Sequence, residues 1–262
     1  CYQKGYLTRE QLGGLEMKWG DVEAANGLLQ IMTKREGFGD VLAEGVKRAS
    51  EQVGGDPAGF AIYTHKGTTP RSHDHRGRWA EMLEGAVTSI GTIETGPLVH
   101  IEDFGLPATH DPFDPRAVAH ITASMLGRPH FVDSLGICKF TANAHTELVC
   151  GALNAVTGWD YTLEEVMTFG KRTAAMFRLF NLRNGIGPDL ERPSERYWST
   201  PVDGPAAGTS AKENWGTMIR TYYETAGLDR ESGRPLPETL RKLGLEHLVS
   251  EVWGAEAAKV GG

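Results

Sequence analysis

Cysteine is scarce in this chain: three residues among 262, at positions 1, 138 and 150. None of the three shares a C-x-x-C spacing, so the chain carries neither a disulfide scaffold nor the four thiolates of a self-contained iron–sulfur motif. A sparse, odd count fits a reducing, cytoplasmic compartment. Long apolar runs are also missing, and none approaches the roughly 20 residues that span a bilayer. Positive charge is in deficit: 27 Lys and Arg against 34 Asp and Glu leave a net charge of −7. With no basic stripe, that balance argues against a nucleic-acid binder. No secretory leader is recognisable. The first residue is Cys1 rather than Met, and the opening residues read as the interior of an amphipathic helix, which leads us to expect an N-terminally truncated gene product.

What is present reads as a soluble helical protein, 40% hydrophobic and 23% charged, long enough for one large domain or two smaller ones. Residues 1–20 suggest a helix, a turn and a Gly13-Gly14 element. Asp21 is placed to cap a helix through about Glu36, with Ala24, Ala25, Leu28, Leu29, Ile31 and Met32 at helical spacing. After Gly37-Phe-Gly39, Asp40 suggests the cap of a second helix ending at Gly54-Gly55. Gly45 inside that helix costs about 1 kcal/mol against alanine and implies a close helix contact. Phe60–Thr64 reads as a short strand and Trp79–Thr88 as a helix. Residues 89–115 are rich in Gly and Pro, the pattern of a lid or site wall. Further helices are expected at Pro115–Leu126, Glu147–Val156, Thr162–Leu179, Lys212–Ala226 and Leu240–Val252. Thr162 and Glu165 have the spacing of a capping box. Val166, Phe169, Gly170, Thr173 and Phe177 form an apolar stripe expected in the core.

Three stretches carry chemistry. Asp133-Ser-Leu-Gly-Ile-Cys-Lys-Phe140 combines an acid able to accept hydrogen bonds from a planar N–H-rich heterocycle, a glycine for a sharp turn, and a soft sulfur ligand. Alone, it is also readable as a packed free cysteine. Arg71-Ser-His73-Asp74-His75-Arg76-Gly77-Arg78 offers histidines for a metal, arginines for a phosphate or acidic group, or simply a hydrated loop. Glu94, His100 and His110, in the Gly- and Pro-rich segment, are candidates for proton transfer.

Several motifs in order resemble the tungsten-containing aldehyde ferredoxin oxidoreductases, in their C-terminal domains 2 and 3. They are R-E-G-x-G-D-x-L-A-E-G-V-K-R-A from Arg35 to Ala49, the D-x-x-G-L-C element as Asp133-Ser-Leu-Gly136-Ile137-Cys138, N-A-x-T-G-W-D-Y-T from Asn154, R-L-F-N-L-R-x-G from Arg178, and Y-Y-E-x-x-G-x-D from Tyr222. The resemblance implies a mainly α, two-lobed fold with few short strands, divided as 1–112 and 113–262. It implies that Asp133, with Gly136 and Ile137, contacts a tungsten (or molybdenum) bis-pterin, and that Cys138 is the fourth ligand of a [4Fe–4S] cluster. A related first element, Gln11-Leu-Gly-Gly14-Leu15-Glu16, has Gln11 where the family has an aspartate. The family's activity would make this part of an enzyme oxidising small aldehydes to carboxylates, passing electrons to ferredoxin or another electron-transfer subunit, as a homo-oligomer or complex subunit. The remaining cluster cysteines and a β-rich pterin base are expected upstream, leaving the isolated chain inactive. The Asp74-His-Arg76-Gly77 stretch is similar to a D-x-R-G loop that lies near the cofactor in the family. The His73-Asp74-His75-Arg76 loop, the Thr88–Glu94 segment and a shortened wall also resemble the branch holding the tungsten subunit of benzoyl-CoA reductases, which would take an acyl-CoA substrate. A cofactor-free helical module that binds a partner is the contrasting reading.

Overall fold

The computed structural model describes residues 1–70, 73–89, 100–142 and 145–255. It is mainly helical, with twelve α-helices and no extended strand among the described residues. The backbone divides into two compact units, Cys1–Arg76 with Leu190–Lys212, and Gly77–Asp189 with Glu213–Gly262. The division expected at 112/113 falls inside the second of these units.

In the first unit, residues 2–14 form successive turns instead of the expected helix. Gly5, Gly13 and Gly14 take φ of 75°, 65° and 88°, which breaks any helical run. Helix α1 (Val22–Lys34) begins as expected, with the Asp21 carboxylate accepting from Ala24 N at 2.9 Å. The second expected helix is two, α2 (Phe38–Ala43) and α3 (Val46–Val53), because Gly45 adopts φ 89° between them. The close helix contact anticipated at Gly45 lies instead at Gly39, where a Cβ would sit 2.3 Å from the Ile31 carbonyl oxygen. Asp40 is not a cap; it lies inside α2 and pairs with Arg35 at 2.7 Å. The strand expected at Phe60–Thr64 is reduced to one bridge between Thr64 and Pro193. Pro193 has no N–H to extend a ladder, and the buried Ser194 hydroxyl takes over, donating to Ala61 O at 2.7 Å and accepting from Tyr63 N at 3.3 Å.

The second unit holds α4 (Trp79–Val87), α5 (Pro115–Ser124), α6 (Gly127–Ser134), α7 (Lys139–Ala142), α8 (Thr146–Thr157) and α9 (Leu163–Arg183). Helix α10 (Ala211–Ala226) enters it, followed by α11 (Pro237–Lys242) and α12 (Val249–Trp253). The capping box forms as expected, Thr162 Oγ1 accepting from Glu165 N and the Glu165 carboxylate from Thr162 N. Helices α6 and α9 touch backbone to backbone: a Cβ on Gly170 would lie 1.8 Å from Gly127 O. Of the anticipated stripe, Val166 and Gly170 are buried, but Phe169 and Phe177 are each 43% exposed. Met167, Ala174, Ala175 and Arg178 fill the buried face in their place. The single helix expected over Leu240–Val252 is broken at Gly244, φ 67°, although Leu240, Leu243, Leu245 and Val249 still build one core with Ala175. No helix among the described residues is long and apolar enough to cross a membrane.

Candidate functional site

The site is built on the C-terminal end of α6. Pro129 sits in the first turn of that helix, where its missing N–H has no intrahelical partner to lose. The helices expected from the sequence do not include this one. At its other end Asp133 O accepts from Gly136 N at 3.0 Å, and Gly136 adopts φ 68° to reverse the chain. A Cβ on Gly136 would meet nothing within 4 Å. The glycine is therefore needed for its conformation, and the space beside it is open.

Burial then sorts the side chains around this turn. Leu135 and Ile137 pack on the core of Phe131, Val132, Val149, Cys150 and Val166. Asp133 and Cys138 point away from that core and are exposed. Beyond the turn, Cys138 O accepts from Thr141 N at 2.8 Å and Ala142 N at 3.1 Å, which starts α7. Cys150 is the opposite case. It is buried, its thiol donates to Tyr161 O at 3.3 Å, and burial raises its pKa away from the thiolate form.

These residues fit the groups that the resemblance implies. A cluster ligand must be a thiolate with room for metal on its far side; Cys138 is exposed and Cys150 is not. A heterocycle rich in N–H groups needs an acceptor not already engaged, and the Asp133 carboxylate has no hydrogen-bond or ion-pair partner among the described residues.

One helical turn before Asp133, His130 is buried against Phe177, ring centroids 5.9 Å apart. Burial lowers its pKa, and the nearby Asp133 charge partly opposes that shift. His100 is one of two described non-glycine residues with positive φ, at 53°. Its ring lies 4.1 Å, centroid to centroid, from that of His145, which immediately precedes α8. Nothing in the sequence marked His145; the pairing brings together residues far apart in the chain. His110 is half-buried, and Glu94 lies outside the described residues.

The first element, in the other unit, is organised differently. Gln11 Oε1 accepts from Thr8 N at 2.8 Å, while Gln11 N donates to Thr8 Oγ1 at 3.3 Å. Arg9 Nε holds Gly14 O at 2.7 Å. Leu15 packs where a side chain on Gly27 would stand, 2.7 Å away, and Glu16 pairs with Lys18 at 3.2 Å. In the same unit, Arg76 grips the Asp74 carboxylate through Nη2 at 2.6 Å and Nε at 2.9 Å, and reaches Ser199 Oγ with Nη1 at 3.0 Å. That fork holds the Asp74 carboxyl below the usual carboxylate range. Buried His75 stacks on Tyr197, centroids 5.8 Å apart.

Comparison with known proteins identifies the family. The family model described as aldehyde ferredoxin oxidoreductase, domains 2 and 3, matches residues 1–245. The tungsten-containing aldehyde ferredoxin oxidoreductase of Pyrococcus furiosus is 31% identical over 93% of this chain and 40% of its own length. The aliphatic sulfonate oxidoreductase WOR-like subunit of the same organism is 30% identical over 96% of this chain and 39% of its own length. Among solved structures, the active-site complex BamBC of benzoyl coenzyme A reductase, in complex with 1,5-dienoyl-CoA, superimposes with a TM-score of 0.64. That pair is 20% identical, over 95% of this chain and 42% of the other, a likeness of fold. The chain thus belongs to the aldehyde ferredoxin oxidoreductase family, a family of oxidoreductases, and spans about two fifths of the length of the curated relatives it matches.

Proposed function

We propose that this chain is the pterin-contacting and cluster-completing part of an enzyme that oxidises small aldehydes to carboxylates, with ferredoxin or another electron-transfer subunit as acceptor. The observation that supports it most is the sorting at the α6–α7 turn, where Asp133 and Cys138 are exposed while their neighbours Leu135 and Ile137 pack inward.

In this reading Asp133 accepts hydrogen bonds from pterin N–H groups, and its charge makes each stronger than a neutral contact. Cys138 gives one thiolate to a [4Fe–4S] cluster whose other ligands come from elsewhere in the protein. Ile137, anchored in the core, keeps the cysteine at a fixed distance from the aspartate. The open space at Gly136 lets a flat ring approach the backbone. In the first unit, the Gln11 amide, Gly14, Leu15 and Glu16 are the second pterin contact; the Gln11 N–H₂ donates there, while its oxygen already accepts from Thr8 N. A tungsten (or molybdenum) bis-pterin, when bound, supplies the redox chemistry by which aldehyde and water become carboxylic acid, two protons and two electrons. Among Glu94, His100 and His110, we favour His100 for moving a proton, because a second imidazole, His145, lies against it.

The test uses the full protein and an aldehyde series, with ferredoxin or a viologen dye as acceptor. Aldehyde-dependent reduction that is lost in Cys138→Ala is the expected result. Reduction of a benzoyl-CoA ring with no aldehyde oxidation would instead select the benzoyl-CoA reductase-type reading. Unchanged function in Cys138→Ala would remove both redox readings and leave a helical partner-binding module.

A further inference from the structure

A cleft of about 620 Å³ opens in the second unit between α5, α9, α10 and α11, away from the residues assigned above. Its size lies within the roughly 300–1,000 Å³ of small-molecule sites. Ala123, Leu126, Ala174 and Leu243 give it an apolar wall, and Lys171 and Lys242 both line it. The other charged groups at the cleft are accounted for. Arg178 donates to Gly233 O and to the Tyr223 hydroxyl, and Glu224 is paired with Arg230. Glu238 is exposed on α11, with no ion pair to either lysine among the described residues.

Lys171 is the unusual member. Its stem runs beside Gly127, with Cγ 3.2 Å from where a Cβ would stand, so the α6–α9 contact that excludes side chains also positions this one. Its ammonium has no hydrogen bond or ion pair among the described residues. Burial and the charge of Lys242 both lower its pKa, and the charge of Glu164 is the weakest influence on it. A half-buried cation next to a second cation, in a cleft with an apolar wall, is stabilised by an anion placed between them. Inorganic phosphate would satisfy the lysines but leave the wall uncovered.

We propose that this cleft binds an amphipathic organic monocarboxylate, its carboxylate held between Lys171 and Lys242 and its hydrocarbon body against Ala123, Leu126, Ala174 and Leu243. Nothing in this binding passes through a metal or a pterin, so it stands or falls separately from the redox reading.

Calorimetric titration of the full protein with hexanoate, and with inorganic phosphate as comparison, tests it. Saturable hexanoate binding is expected, weakened about tenfold or more in Lys171→Met and less in Lys242→Met, with phosphate at least about tenfold weaker than hexanoate. A reading that needs no variant is protection: hexanoate slows the reaction of Lys171 with an amine-specific reagent, followed by peptide mass spectrometry. Absence of saturable hexanoate binding, an unchanged affinity in Lys171→Met, equal affinity for phosphate, or no protection of Lys171 would each overturn the assignment.

Discussion

The molecule contains two glycine turns of related sequence, one in each unit, and they use their polar residues in opposite ways. Around Gly13 and Gly14 the polar groups are consumed locally: the Gln11 oxygen serves Thr8 N and Glu16 pairs with Lys18. Around Gly136 the backbone alone closes the turn, through Gly136 N to Asp133 O, and the Asp133 carboxylate is left without a partner among the described residues. A left-handed glycine shapes each turn, but only the second presents an unengaged charge and an exposed thiol. Availability, more than motif likeness, separates a candidate ligand from a structural residue.

The sharpest way to break this comparison is at sulfur. Cys138→Ala is expected to lower turnover of the full protein by more than about 100-fold, close to 3 kcal/mol in the transition-state barrier. Cys150→Ala should keep turnover within about twofold and lower stability by about 1 kcal/mol, through lost core contacts; chemical denaturation and steady-state rates measure both. Next comes the support for the second turn. Gly170→Ala places a methyl against Gly127 O, so α6 must shift; a loss of about 3 kcal/mol or more in denaturant unfolding is expected, with turnover reduced as Asp133 moves.

Exchanging the polar residues sharpens the contrast further. Asp133→Asn should cut turnover about tenfold with unfolding at neutral pH unchanged, since the carboxylate has no hydrogen-bond or ion-pair partner among the described residues. Gln11→Ala should cost about 0.5–1 kcal/mol of stability by opening the Thr8 clasp, and lower turnover less than Asp133→Asn does, because only a neutral amide contact is lost. Equal effects in the two variants would erase the distinction between the turns.

The smallest effect concerns pH. His130 is kept neutral by burial, so its folded pKa lies below the ordinary value of 6.5. The unfolded chain therefore takes up a proton first: stability is full above about pH 6.5 and falls as pH drops from there toward the lowered folded value. His130→Gln should flatten this acid-side loss. Asp133→Asn should steepen it, because the aspartate raises the His130 pKa.

Local signals were legible in the sequence wherever they are satisfied locally. The Asp21 cap and the Thr162–Glu165 box need only residues three positions apart, and both form. Glycine was harder to read, because Gly45 and Gly244 break helices that apolar spacing alone would continue, whereas Gly127 and Gly170 sit inside helices to allow contact. Helix α6 is hard to read from the sequence because Gly127 and Pro129, residues that usually punctuate a chain, stand in its first turn. The partial exposure of Phe169 and Phe177 is a tertiary fact that helical spacing does not show. Likewise, the motif singles out Cys138 in the sequence, but only packing shows it exposed and Cys150 buried, and only packing joins His145 to His100.

The most direct test of the central claim is EPR of the reduced full protein, with iron analysis, comparing Cys138→Ala and Cys150→Ala with the parent. The account predicts that the signal of the reduced cluster and its iron are lost or altered in Cys138→Ala and unchanged in Cys150→Ala. An unaltered signal and iron content in Cys138→Ala would contradict it.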